Sequence, residues 1–240
     1  MTEKSLTNEA LSTVTDNYRR LSERIENAKV KAGRTDDVHF MAVTKTVPPE
    51  IVNHSVSLGI KLLGENRVQE FLDKYESYDG DYDVHFIGGL QTNKVKYIID
   101  KVSMIHSVDS VKLAAEIDKR AAAAGRIMDV LLEVNIGGEL SKNGIPADDV
   151  LSLAAEAEQF GNIRVRGLMT IPPVDVNGSS ERYFEKMQRL YADLKSQSAG
   201  KENFLVDTLS MGMSGDFEKA IVYGSTIVRI GSLLFGYRKY

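Results

Sequence analysis

The 240-residue chain predicts an α/β fold, a single (β/α)8 TIM barrel with an extra N-terminal helix. Three observations predict it. Eight short apolar runs with strand character recur along the chain, the segments between them are long enough for helices, and no Pro/Gly-rich linker or low-complexity tract breaks the rhythm. Strict alternation of strand and helix means a parallel sheet covered by helices. Eight strands in roughly 200 residues suit a closed barrel. The competing open doubly wound sheet usually opens on a Gly-rich turn, and no G-x-G-x-x-G follows the first strand. The expected organisation is one domain over residues 1–240, with residues 1–35 as a helix packed on the barrel.

The opening helix rests on Leu11, Val14, Tyr18, Leu21 and Ile25, which recur at alternating steps of three and four. Lys29 and Lys31 near its end and Gly33 just beyond it supply the stop. The eight strands follow in order: "VHFMAVT", "IKLLGE", "DVHFIG", "SMIHSV", "IMDVLLEVNI", "IRVRGLMTI", "FLVDTLSM" and "TIVRIG". Among the intervening segments, "SVKLAAEIDKRAAAAG" and "SSERYFEKMQRLYADLKSQ" carry the clearest helical patterning. Pro48-Pro49 closes the first strand, and Gly88-Gly89 turns the chain before a helix that begins over Gln91 to Asn93.

Composition narrows the function. Hydrophobic content of 42% and charged content of 27% are ordinary for a globular protein. A net charge of −4 and a pI near 5.7 leave no basic footprint for nucleic acid. The absence of cysteine excludes disulfides, thiol nucleophiles and thiolate metal sites. No apolar run approaches the roughly 20 residues of a membrane span, and the N-terminus resembles neither a signal nor a transit peptide. A cytoplasmic monomer without membrane or nucleic-acid partners is expected.

The first strand ends on a lysine. Barrel active sites lie at the C-terminal ends of the strands, so Lys45 stands where chemistry is placed, although lysine at a strand end also snorkels back to water. Counting by twos, Lys45 shares a face with Val43 and Met41, and the sequence leaves open whether that face is the inner one. Polar groups gather at the other strand ends: Glu65 and Asn66 after strand two, Asn135 after five, and Met169-Thr170 after six. "SMGMSGD" after strand seven offers Ser210, Ser214 and Asp216, while strand eight carries Arg229 and then Gly231 and Ser232. Helix caps and turn residues account for any one of them alone.

The last two loops are Gly/Ser-rich in the position where barrels often bind phosphate, because backbone N–H groups at a helix N-terminus favour an anion. Lysine forms Schiff bases with carbonyl compounds. A group with both an aldehyde and a phosphate, pyridoxal 5′-phosphate (PLP), satisfies both features. Arg229 would then oppose protonation of the pyridine nitrogen, since both would be cationic, and would reduce the electron-sink power of the ring.

The segments "AVTKTVPPE", "LGENRVQE", "HFIGGLQTNKVK", "GLMTI", "LSMGMSGDFEKAI" and "VRIGSLLFG" together resemble the pyridoxal-phosphate homeostasis protein family, whose fold is like the barrel domain of alanine racemase. The resemblance runs from about residue 38 to residue 236. It implies that Lys45 is the Schiff-base lysine, that Asn66 lies near the ring hydroxyl and that Arg229 faces the ring nitrogen. It further implies that Ser210, Ser214, Gly231 and Ser232 gather the phosphate and that Met169 packs against the ring. A threonine is also common in the family where Ser232 stands. The implied role is binding, storage or supply of PLP inside the cell, with PLP-dependent apo-enzymes as recipients and no catalytic residue assigned.

Two other readings compete: a PLP-dependent enzyme acting on amino acids, such as a weak racemase or lyase, and a class I aldolase-like barrel. Racemisation needs a proton acceptor on one face and a donor on the other; no room is expected for the additional domain that supplies the second group in alanine racemase, so efficient racemase chemistry is not expected. His39, His85 and His106 lie in or beside strands and His54 in a helix, without metal-ligand spacing; satisfied interior histidines are expected and no metal site. Lys94 and Lys96 either attract a phosphate or are simply solvated. "GGELSKNGI" places Lys142 on a loop near the barrel mouth, where it is either a solvated loop lysine or a contact for an anionic ligand, including a transient second attachment point.

Overall fold

Eight parallel strands close into a ring: β1 (His39–Val43), β2 (Leu62–Glu65), β3 (Asp83–Phe86), β4 (Met104–Val108), β5 (Met128–Asn135), β6 (Ile163–Thr170), β7 (Phe204–Met213) and β8 (Ile227–Ile230). Each pairs with its sequence neighbours, and β1 pairs with β8 to complete the circle. The computed structural model describes residues 3–139, 142–173 and 180–236, and the side chains among them from residue 8 onward.

The helices follow the expected rhythm: α1 (Glu3–Lys31), α2 (Pro49–Ser57), α3 (Val68–Tyr75), α4 (Val111–Ala123), α5 (Val150–Ala157), α6 (Ser180–Gln197), α7 (Phe217–Val222) and α8 (Ser232–Phe235). Local chemistry sets their ends. Gly33 takes φ of 64°, which lets Arg34 N–H reach back to the Lys29 carbonyl at 3.0 Å and close α1. Proline at the first position opens α2, and Ser110 caps α4 by accepting from Leu113 N–H at 3.3 Å. The connection from β3 to β4 departs from expectation. It holds only the 3-10 helix Thr92–Tyr97, whose buried Val95 and neighbouring Ile98 cover the sheet there. A two-residue strand, Ile145–Pro146, adds to the end of β5.

Alternation along the strands separates two apolar regions. One face, with Ala42, Leu63, Phe86, Ile105, Leu132, Leu168 and Ile230, packs in the same cluster as the helix residues Val14, Leu21, Phe71, Ile117 and Phe184. The opposite face forms two separate clusters, Met41 with Val43, Ile87 and Ile227, and Met104 with Leu131 and Met169. These fill the barrel. Near the N-terminal ends of the strands, ion pairs stand in for apolar layers: Arg164 to Asp129 at 2.7 Å, and Arg166 to Asp129 and Asp207 at 2.5 Å each. Helix α1 lies across α2, α7 and α8, tied by Asn17 Nδ2 to the Leu234 carbonyl at 2.9 Å and by Arg24 to Glu218 at 2.8 Å. Among the described residues, no helix is long and apolar enough to cross a membrane.

Candidate functional site

Met41 and Val43 lie on the inner face of β1. Lys45 follows them in the turn beyond the C-terminal end of the strand, half-buried, on the side of the barrel where its mouth lies. The residues on either side of it turn the other way or leave the strand. Thr44 is fully buried on the outer face, and Thr46 has φ of 60°, uncommon for a β-branched residue.

Arg229 lies on the inner face of β8, two residues beyond Ile227, and is 3% exposed. Its guanidinium donates through Nη1 to Ser210 Oγ and through Nη2 to the Thr170 carbonyl, both at 2.7 Å. Burial pushes its pKa down to about 10, against the opposing pull of Asp216 and Glu133. Ser210 is fully buried and pairs in register with Met169 of β6, which belongs to the interior cluster. Ser210 therefore sits lower in the barrel than the loops, with its hydroxyl engaged by Arg229.

The two Gly/Ser-rich loops meet above it. Ser214 Oγ accepts from Leu233 N–H at 3.4 Å, so the loop after β7 touches the first turn of α8. Gly231 is the N-cap of that turn, its carbonyl accepting from Leu234 and Phe235 N–H, and Ser232 is its first residue. Asp216 Oδ1 accepts from Met213 N–H at 2.6 Å and holds the β7 loop closed.

Asn66 follows β2 at the same rim. Its Oδ1 is buried and has no hydrogen-bond partner among the described residues, a costly state unless a ligand or water satisfies it. The backbone of Asn66 is held close to Gly88, where an added Cβ would stand 2.1 Å from the Asn66 carbonyl oxygen. Only glycine permits that approach. Thus the predicted residues Lys45, Asn66, Met169, Ser210, Ser214, Arg229, Gly231 and Ser232 fall on one contiguous arc of the ring, from β6 through β7, β8 and β1 to β2.

Lys142 lies beside this arc rather than free in solvent. Its ammonium donates to the Pro172 carbonyl at 3.0 Å and pairs with Glu139 at 2.6 Å; Leu140 and Ser141 fall outside the described residues. Lys94 and Lys96 rest over the Tyr97 ring, 5.7 and 4.8 Å from its centroid. His85 and His106 are interior and bonded to each other at 2.8 Å. Burial lowers His85 to about 3 and His106 well below its ordinary value. His39 departs from the interior expectation, being exposed at the start of β1, and His54 bonds Thr15 between two helices.

Sequence reasoning missed Glu133. It follows Leu131 by two on the inner face of β5, is 6% exposed, and leaves Oε2 without a partner among the described residues. Burial raises its pKa to about 7, Asp109 adds to the rise and Arg229 opposes it. A lone carboxylate inside the apolar run "VLLEVNI" was the available signal. Together the arc offers an amine at the mouth, a buried guanidinium below it and two adjoining loops of hydroxyls and backbone N–H groups. Such a set suits a ligand with a carbonyl carbon at one end and an anionic group at the other.

Known proteins share this arrangement of elements. A family profile described as alanine racemase, N-terminal domain, matches residues 11–239. A pyridoxal phosphate homeostasis protein of Aquifex aeolicus is 49% identical over 224 residues, covering 92% of this chain and 96% of that one. The solved structure of PipY from Synechococcus elongatus with PLP bound superposes with a TM-score of 0.77 at 28% identity, covering 93% of this chain and all of that one (100%). An alanine racemase of Clostridium difficile shares the fold, with a TM-score of 0.71 at 17% identity over 94% of this chain and 58% of that one.

Proposed function

The chain belongs to the pyridoxal phosphate homeostasis protein family, and from that premise we propose that it binds PLP through Lys45 and holds it for supply to PLP-dependent apo-enzymes. The observation that carries this reading is the arc itself, which gathers the amine, the buried guanidinium and the paired loops onto five adjacent strands. When bound, the cofactor supplies an aldehyde that combines with amines and a ring that withdraws electrons.

The residues present fit that group. Asn66 Oδ1, buried and without a partner among the described residues, would accept from the ring hydroxyl. Arg229, already fixed by Ser210 and Thr170, would face the ring nitrogen and oppose its protonation. Met169 would pack against the ring. Ser214, Gly231 and Ser232 would hold the phosphate, with Ser210, whose hydroxyl is engaged by Arg229, beneath them. We read the protein as one domain, acting as a monomer in the cytoplasm.

The visible spectrum tests the proposal. Purified protein supplied with PLP develops an absorption band, borohydride bleaches it, and peptide mass spectrometry finds the retained mass on Lys45. Lys45→Ala abolishes the band while the far-ultraviolet circular dichroism is unchanged. Addition of an excess of apo-enzyme transfers the colour and restores that enzyme's activity. A band of the same position and intensity in Lys45→Ala overturns the assignment, and colour that never leaves the protein overturns the supply role.

A further inference from the structure

Lys45 stands in the turn just past the end of β1; against the outer side of that turn lies a buried polar network that the binding of a cofactor does not itself require. Glu65, 0% exposed, is its centre. Its Oε1 accepts from Thr44 Oγ1 at 2.7 Å and from Tyr78 OH at 2.6 Å, and stands 3.1 Å from Lys74 Nζ. Lys74 reaches across to the backbone as well, donating to the Thr44 carbonyl at 3.0 Å. It also pairs with Glu70 at 2.9 Å, one turn earlier on α3. Glu70 in turn accepts the N–H of Thr46.

The backbone is therefore gripped immediately before and immediately after Lys45. Thr44 is held through its hydroxyl and its carbonyl, and its N–H donates to the Gly64 carbonyl at 3.0 Å. Thr46 is held through its N–H in a left-handed conformation, φ of 60°, which a β-branched residue keeps only when its surroundings over-determine it. Although burial raises the Glu70 carboxyl, the Thr46 N–H and the Lys74 ammonium hold it below its ordinary value. The charged form, the stronger acceptor, is thus the one present.

From this geometry we infer that Glu65, Glu70 and Lys74 are positioning residues for Lys45: they lock the turn at the end of β1 so that its ammonium projects into the barrel mouth. The inference rests on the reading of Lys45 as the attachment point. A misdirected amine attacks slowly even where the pocket still binds its ligand, because reaction depends on the approach geometry of the two atoms. Loss of the clamp should therefore appear in the rate of attachment before it appears in affinity.

The experiment mixes cofactor-free protein with PLP and follows the rate at which the visible band forms, as a function of pH, in wild type, Glu70→Ala, Glu70→Gln and Lys74→Met. Amide hydrogen exchange at Thr46 is measured on the same proteins without PLP. Glu70→Ala should slow attachment roughly tenfold, the worth of one charge-assisted hydrogen bond, and should speed exchange of the Thr46 amide. Glu70→Gln retains an acceptor oxygen and should return both readouts close to wild type, whereas Lys74→Met should lose more than Glu70→Ala. Variants that melt at lower temperature yet attach PLP at the wild-type rate, with the wild-type pH profile and a protected Thr46 amide, would assign the network to stability alone and overturn the inference. Glu70 is partly exposed at the edge of the network, with 22% of its side chain accessible, so its pair of variants decides the matter even if Lys74→Met does not fold. A wild type that forms no band overturns this inference together with the proposed function; a wild-type band with unchanged Glu70→Ala kinetics overturns only this one.

Discussion

Glu133→Gln offers a sharp test of the barrel interior, because the substitution changes charge and almost nothing else. The Glu133 carboxyl is raised from 4.5 to about 7, first by burial and then by Asp109. At 1.36 kcal/mol for each tenfold change in proton affinity, that is roughly 3 kcal/mol. A group whose folded pKa lies above its unfolded one binds its proton more tightly when folded. Its contribution is therefore fully present below pH 4.5, declines as the pH rises and is gone above about 7. Glutamine never ionises and escapes the decline. Urea unfolding of the cofactor-free proteins between pH 4.5 and 8 should show the variant equal to wild type at the acid end and more stable by about 3 kcal/mol at the neutral end. His85, lowered to about 3, costs both proteins stability as the pH falls below 6.5 and cancels from the difference. Adding Asp109→Asn to the wild type should narrow the window. A difference between Glu133→Gln and wild type that is flat across the range would refute the assignment of a neutral, buried carboxyl.

Three further outcomes follow from the site. Arg229→Gln removes the cation along with the bonds to Ser210 and Thr170, so the bound PLP spectrum should shift as the ring nitrogen gains a proton, and retention should weaken; an unchanged spectrum and affinity would leave Arg229 a purely structural residue. Ser214→Ala should weaken PLP binding about tenfold, as expected for a charge-assisted bond, while pyridoxal without phosphate binds poorly to both proteins, which competitive titration of the two ligands measures. Gly88→Ala forces a methyl group against the Asn66 carbonyl oxygen and should cost roughly 1–3 kcal/mol in thermal or urea unfolding, with looser PLP binding because Asn66 moves.

The barrel was legible because its signal is periodic. Each strand is a short apolar run, and the ring needs only their number and spacing. The candidate site residues at β1, β2, β7 and β8 stood out as the endings of those runs, and Met169 at β6 came from the family resemblance. The parity of Lys45 was not, since period two treats both faces alike until packing chooses one. The helix expected after Gly88-Gly89 contracted to a 3-10 turn because Val95 and Ile98 suffice to cover the sheet there. Glu65 stood out only as a polar strand ending beside Asn66, and Glu70 and Lys74 read as ordinary surface charges on a helix. Their grip on Thr44 and Thr46 exists only once α3 is laid against β1 and β2, and no local pattern records that contact. The ion pairs of Arg164 and Arg166 with Asp129 and Asp207 join three strands and were hidden for the same reason.

The pairing of β1 with β8 also sets an order in time. Chains emerge from the ribosome N-terminus first, at about 5–20 residues per second, and Asn17 must wait for Leu234, 217 positions later. For on the order of tens of seconds, the part of α1 that packs on α7 and α8 and one edge of β1 have no partner. An unpaired edge of that kind is an invitation to pair with other chains. Lys45 is made early and Arg229 late, so no nascent fragment can carry the assembled mouth of the barrel. Under the proposed function, a chain still being synthesised therefore has no complete place to hold a reactive aldehyde, and the site is closed only once the last strand pairs with β1.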